Sequence, residues 1–146
     1  MSPKHAEGTL HVENQVLITI YVREDRSAPK GYRLEIYPGR REDVEVFRHK
    51  DPDTYAGAKP QELRWAVVGL GGKQKIQIQA KDEFSGKKIF DDEYWIDGTK
   101  GSNTVCSGPV KGERDAGTWR YSIILWDDGG TKLASLDPDV DIKNDP

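Results

Sequence analysis

The sequence predicts an all-β protein, a single-domain antiparallel Greek-key β-sandwich with little or no helix. Apolar residues recur at every second position in segment after segment, which is typical of strands that bury one face. Turn signals rich in glycine, proline and aspartate separate these segments, among them Pro38-Gly39, Gly71-Gly72 and Asp127-Asp128-Gly129-Gly130. No segment sustains the apolar period of about 3.6 residues that a helix needs.

The strands follow from this alternation in chain order. The expected inward-facing residues are Val16, Ile18, Ile20 and Val22; Tyr32, Leu34 and Ile36; Val44 and Val46; Leu63, Trp65 and Val67; Ile76, Ile78 and Ala80; Trp119, Tyr121, Ile123 and Leu125; and Val140 and Ile142. The segment "NTVCSGPV" predicts one further, shorter strand. Residues 1–25 are expected to add an N-terminal edge strand to the sandwich.

One long segment, residues 82–102, does not have a strand pattern and is predicted as a loop. It holds Phe84, Phe90, Tyr94 and Trp95. Long loops in compact domains are uncommon and often functional. Two interpretations stay open: these side chains fold back to plug the open end of the sandwich, or they form a contact surface.

Length and composition narrow the class of protein. The 146 residues suit one domain, 1–146, and the net charge of −3 argues against a nucleic-acid binder. No apolar run approaches the roughly 20 residues that span a bilayer, and the N-terminus lacks the features of a secretory signal. We therefore expect no membrane insertion and a cytoplasmic location.

Cys106 is the only cysteine, so no intrachain disulfide can form. We expect its side chain to be buried as a small hydrophobic residue.

The stretch "RDAGTWRYSIILWDDGG", residues 114–130, carries a pattern of Asp115, Gly117, Trp119 and Tyr121 at alternate positions. This resembles the penultimate strand of immunoglobulin-like sandwiches, in which a corner aromatic precedes a core residue by two positions. The resemblance implies that Trp119 is the corner residue and that Tyr121 takes the place of the disulfide cysteine. The alternation by itself predicts that Trp65, Trp119 and Tyr121 are core residues.

Residues 61–142 also resemble cupredoxins, because "LRWAVVG" is followed by an aromatic loop and then by "AGTWRYSI". The elements "SGPV", "GTWRYS" and "LDPDVDI" are similar to those of uncharacterised bacterial proteins and imply no activity. A blue-copper site needs two imidazoles and a thiolate with a weak axial ligand. The cupredoxin ligands follow the aromatic strand, where this chain has "SIILWDDGGTKLASLDP" and no Cys, His or Met. We expect no copper site and no cofactor.

Carboxylates are the other candidates for chemistry. Asp91-Asp92-Glu93 and Asp127-Asp128 are adjacent acids in turns, which are more typical of solvated surface than of a glycosidase pair. Asp137, Asp139 and Asp141 alternate along a strand and could gather calcium, but the loop that wraps such an ion is missing. With no triad or phosphate-binding loop either, we expect no metal site and no enzyme.

The aromatic residues outside the predicted core indicate a binding function. Trp126 falls on the polar phase of its strand, and Phe90, Tyr94 and Trp95 lie in the predicted loop. These four are the candidate residues for binding a ligand or partner, since exposed Trp and Tyr recur at binding hot spots. The first hypothesis is a non-enzymatic interaction module that binds an unknown protein or itself, as a homo-oligomer, through a sheet edge or the 82–102 loop. The alternative is a carbohydrate or small-ligand binding domain that uses the loop aromatics.

Overall fold

The computed structural model describes residues 14–49, 59–82, 86–100 and 103–144. Ten strands form two sheets, and one 3₁₀ turn spans Arg41–Asp43; no α-helix occurs in these ranges. The strands are β1 (Gln15–Glu24), β2 (Tyr32–Tyr37), β3 (Glu45–Arg48), β4 (Glu62–Val68), β5 (Gln74–Ala80), β6 (Tyr94–Asp97), β7 (Thr104–Cys106), β8 (Gly117–Asp127), β9 (Lys132–Leu136) and β10 (Asp139–Asn144). The described part of the chain holds no helix of the length and apolarity needed to cross a membrane.

The first sheet has the strand order β2-β1-β4-β7, and the second has the order β3-β10-β8-β5-β6. The long strand β8 has β5 on one side. On its other side β10 pairs with the first part of β8, and β9 pairs with the last part. This arrangement confirms the predicted all-β sandwich.

The sheets are mixed, so the expectation of a purely antiparallel sandwich is wrong in two places. β1 pairs with β4 in parallel, and β10 pairs with β3 in parallel, while the other pairs of strands are antiparallel. β2 and β3 separate β1 from β4 in sequence, and β3 belongs to the opposite sheet. The chain therefore leaves the first sheet and re-enters it beside β1, and such a crossover allows a parallel pair.

The expected N-terminal edge strand is also wrong. β1 lies inside the first sheet, because it is hydrogen-bonded to β2 along one side and to β4 along the other. Its inward residues Ile18 and Ile20 are fully buried. Residues 1–13 of the predicted segment lie outside the described residues.

A single hydrophobic core fills the space between the sheets. Trp65 on β4 and Trp119 and Tyr121 on β8 each have a relative exposure of 0 %. The indole Nε1 of Trp65 donates a hydrogen bond to the Tyr121 hydroxyl at 3.0 Å, and the two rings meet edge to face at 5.5 Å. This bond satisfies a polar group that would otherwise be buried without a partner, and it links the two sheets.

The predicted 82–102 loop contains a strand. β6, at Tyr94–Asp97, pairs antiparallel with β5 and extends the second sheet by one strand. The pairing places Tyr94 and Ile96 on the side of the core and Trp95 and Asp97 on the outer side. Phe84 lies outside the described residues.

Candidate functional site

The four aromatic residues predicted for binding are divided between the two faces of the second sheet. Phe90 is 6 % exposed and belongs to the core, where its ring meets Trp65 at 5.5 Å and Tyr94 at 5.4 Å. Trp95 and Trp126 lie on the outer face. Phe90 and Tyr94 therefore close the end of the sandwich, as the first interpretation of the segment has it, whereas Trp95 is exposed to solvent, and a contact surface there stays a prediction.

Tyr94 is fixed at the end of the sandwich by its hydroxyl, which donates a hydrogen bond to the Ser107 carbonyl at 2.6 Å. Burial raises the pKa of Tyr94 to about 12, with a further increase from the negative charge of Asp92. The hydroxyl therefore stays protonated at neutral pH. Its role here is to join β6 to the segment after β7.

Arg114 holds the residues next to Phe90 in place. Its side chain is 9 % exposed, and its guanidinium donates from Nε to the Ile89 carbonyl at 3.2 Å and forms an ion pair with Asp91. Because a buried guanidinium must be satisfied, these contacts tie the segment before β6 to the approach of β8. Sequence reasoning missed Arg114, since arginine in a turn is normally a solvated residue.

The outer face of the second sheet brings Trp95 and Trp126 to either side of β5. Gln77 on β5 is directly opposite Trp95 on β6, and Lys75 on β5 is directly opposite Trp126 on β8. From the strand spacing and the rise per residue, the Cα atoms of the two tryptophans are about 12 Å apart. Trp95 is 45 % exposed, whereas Trp126 is partly buried.

A chain of contacts holds these side chains. The indole Nε1 of Trp126 donates to the Gln77 amide oxygen at 2.9 Å, and the Gln77 amide nitrogen donates to the Glu93 carboxylate. The Lys75 ammonium lies 5.1 Å from the centre of the Trp95 ring, within the range of a cation–π contact. We call Trp95, Trp126, Lys75, Gln77 and Glu93 the tryptophan surface.

The tryptophan surface is suited to contact with another molecule. Four of its five side chains stand on strands, and the fifth, Glu93, directly precedes β6 and accepts from Gln77. The side chains are thus already oriented, so little conformational entropy is lost when they bind. The indole of Trp95 supplies apolar area, and Glu93 and Lys75 supply an acceptor and a donor at its rim. The sequence pattern predicts only that Lys75 and Gln77 are outward-facing polar residues of β5, and it does not predict that they contact the two tryptophans.

The three aspartates considered for calcium each contact a neighbouring side chain. Asp137 accepts from Ser122 at 2.9 Å and lies 3.1 Å from the Lys81 ammonium. The Arg120 guanidinium donates to Asp139 at 2.9 Å, and the Thr118 hydroxyl donates to Asp141 at 3.0 Å. Among the residues the structure describes, no group of three or more His, Cys, Asp or Glu is placed to hold a metal ion.

Cys106 is half-buried on the outer face of the first sheet, not in the core as expected. Its sulfur lies 3.4 Å from the Glu62 carboxylate and 3.4 Å from the Gln15 amide nitrogen. Burial raises the pKa of the thiol, although the Gly108 amide opposes this effect, and so the thiol stays protonated at neutral pH.

No protein-family model matches the chain. No curated protein is significantly similar to it.

Proposed function

We propose that the protein is a non-enzymatic binding module that contacts a partner protein through the tryptophan surface. The observation that carries this proposal is that Trp95 is 45 % exposed although it stands on a strand of the sheet and contacts Lys75 of the neighbouring strand. Tryptophan is enriched at binding hot spots because it offers a large rigid contact area. The polar groups of Lys75 and Glu93 form the rim that typically surrounds such an anchor.

Site-specific photo-crosslinking in the cell of origin tests this proposal. Benzoylphenylalanine replaces Trp95 in one variant and Gln79 in the control, because Gln79 is an exposed residue on the outer face of the same sheet. We expect a discrete adduct from position 95 that excess unmodified protein competes away, and none from position 79. Equal adducts from both positions, or none from either, would contradict the proposal.

A carbohydrate or other small ligand is the second candidate for the same surface. The observation that favours it is the pairing of an exposed indole with charged hydrogen-bonding groups, since sugar rings present C–H faces between hydroxyls. The tryptophan fluorescence of the wild type should shift on titration with a bound polysaccharide. The shift should vanish in Trp95→Ala and persist in Gln79→Ala. A spectrum that does not move across a broad panel of neutral and acidic polysaccharides would refute this second function.

We also propose that the sandwich is related to immunoglobulin-like or cupredoxin-like domains. The indole Nε1 of Trp119 donates to the Asp115 carbonyl at 2.8 Å, which supports the corner role because the corner residue of immunoglobulin-like domains bonds to the backbone a few residues upstream. Trp65 and Tyr121 meet from opposite sheets, which departs from the antibody arrangement. A solved structure of an immunoglobulin-like or cupredoxin-like domain that is related in sequence to this chain should share its strand order and the hydrogen bond from the corner residue to the upstream backbone.

We propose a cytoplasmic location because the sequence has a single cysteine and therefore no intrachain disulfide, as is usual in a reducing compartment. Fractionation of the source cells, with detection by an antibody, should find the protein with cytosolic markers. Recovery with secreted or membrane fractions would contradict this location.

A further inference from the structure

The outer face of the first sheet carries a second exposed apolar surface, separate from the tryptophan surface. The described residues include four large hydrophobic residues that are exposed, and three of them lie here: Leu17 (53 %), Tyr37 (70 %) and Val68 (51 %). All three stand on the outward phase of their strands. They therefore share one face although they come from three strands.

The strand register makes these residues neighbours. Tyr37 is directly opposite Thr19, which follows Leu17 by two positions on β1. Val68 is directly opposite Tyr21 on the other side of β1. Directly opposed outward side chains lie about 5 Å apart, so these five residues form one continuous area, which we call the first-sheet patch.

The charged groups around the first-sheet patch form ion pairs or hydrogen bonds within the chain. At one end Glu35 lies 3.0 Å from Arg23 and 3.0 Å from Arg33, and Arg33 lies 3.6 Å from Asp25. The other end has a second group, in which Gln15 donates to Glu62 at 2.9 Å and Arg64 donates to Gln15 at 2.9 Å. A rim of this kind around an apolar centre is typical of an interaction site.

We propose that the first-sheet patch is the interface of a homodimer, in which the same face of a second copy of this chain covers it. Among the described residues the two rims contain three arginines and three acids, so their charges cancel and a strongly charged partner would gain little net attraction there. The face of a second copy has the same neutral, apolar centre, and in a two-fold dimer the same patch of each copy contacts that of the other. The whole chain has a net charge of only −3, so repulsion between copies is weak.

Face-to-face docking fits better than pairing at the β2 edge. β2 is the edge strand of the first sheet, it carries Arg33 and Glu35, and Pro38 follows its last residue. Charges and proline are features that block the addition of another strand to an edge. The exposed apolar area is on the face of the sheet, and a partner that docks there adds no strand to the sheet.

The size of the face predicts a weak dimer. Alternation gives the four strands about fourteen outward residues, fewer than the roughly 20 to 30 per partner of a stable interface. We expect a dissociation constant on the order of 10 to 100 μM.

Sedimentation velocity of the full chain, from about 2 to about 500 μM, tests the dimer. The wild type should change from monomer to dimer over this range. Leu17→Lys and Val68→Lys should each weaken dimerisation by at least about 30-fold, the size of a hot-spot loss. Thr19→Arg, at the centre of the patch, is a second route to the same result if either variant fails to fold, and far-UV circular dichroism of each variant checks the fold.

The matched control is Gln79→Lys, which adds the same charge to an exposed position of the other sheet and should leave the dimer unchanged. Amide shifts in ¹⁵N NMR spectra on dilution should concentrate in β1, β2 and β4. A wild type that sediments as a monomer at the highest concentration overturns the proposal. So does a dimer that resists all the folded patch variants, or one that Gln79→Lys weakens as much as Leu17→Lys does.

Discussion

The hydrogen bond between Trp65 and Tyr121 gives a direct test of how the core is organised. Tyr121→Phe removes only the hydroxyl oxygen that accepts from the Trp65 indole at 3.0 Å. Both residues have a relative exposure of 0 %, so in Tyr121→Phe the indole N–H of Trp65 stays buried and loses its hydrogen-bond acceptor. The ring contacts of residue 121 with Trp65 and Phe90 are retained, because phenylalanine keeps the same ring.

The expected loss of stability follows from the unsatisfied donor. Leaving a buried polar group without its partner costs about 1 to 3 kcal/mol, and we expect Tyr121→Phe to lower the free energy of unfolding by that amount. Urea unfolding should show a lower midpoint with an unchanged slope, since the area exposed on unfolding hardly changes. Tyr37→Phe is the matched control: Tyr37 is 70 % exposed, and its substitution should stay within about 0.5 kcal/mol.

A double-mutant cycle separates the bond from the rest of the packing. Trp65→Phe should be more destabilising than Tyr121→Phe, because it also leaves a cavity. Once Trp65 is absent, Tyr121→Phe should cost less, with a coupling energy of about 1 kcal/mol. A Tyr121→Phe variant as stable as Tyr37→Phe, or two effects that simply add, would refute this account of the core.

Three further predictions concern Arg114, Gly98 and the ionisation of Tyr121. Arg114→Met removes the guanidinium that holds Asp91 and the segment before β6, and we expect a loss of about 1 to 3 kcal/mol in urea unfolding; no measurable loss would contradict this role. Gly98→Ala places a Cβ 1.9 Å from the Gly71 carbonyl oxygen, so the two turns must move apart. We expect the thermal midpoint to fall by several degrees, and an unchanged midpoint would contradict a tight contact between these turns. Burial raises the pKa of Tyr121 above that of an unfolded tyrosine. The protonated hydroxyl therefore stabilises the fold fully below about pH 10, and this stability is lost as the pH rises further, by up to about 1.4 kcal/mol per pH unit. The Tyr121→Phe variant should lose stability less steeply above that pH, and identical slopes would count against the assignment.

Alternation predicts the buried face of each strand well, because one face of a strand packs on the core and the other does not. On β5 it places Ile76, Ile78 and Ala80 inward, as the structure has them. The same rule places Gln77 outward but cannot predict that it is only 8 % exposed. Gln77 is buried because Trp95 and Trp126 come to either side of it, and that depends on which strands are neighbours.

Strand neighbours are determined by contacts that are distant in sequence, and no local pattern contains them. The parallel pairing of β1 with β4 and the interior position of β1 belong to this class. β6 is different, since Tyr94 and Ile96 alternate with Trp95 and Asp97 in the sequence itself. Four alternating residues after an acidic run are a weak signal, and this is why a loop was predicted there.

The fold buries Trp65 and Trp119 in its core and presents Trp95 on the outer face of the second sheet. ¹⁹F NMR of the protein labelled with 5-fluorotryptophan, in the presence of a soluble gadolinium chelate, tests this most directly. The four tryptophans give four resonances, which single Trp→Phe variants assign. We predict that Trp95 broadens most and Trp126 less, while Trp65 and Trp119 stay sharp. A resonance of Trp65 or Trp119 that broadens as much as that of Trp95 would contradict the account.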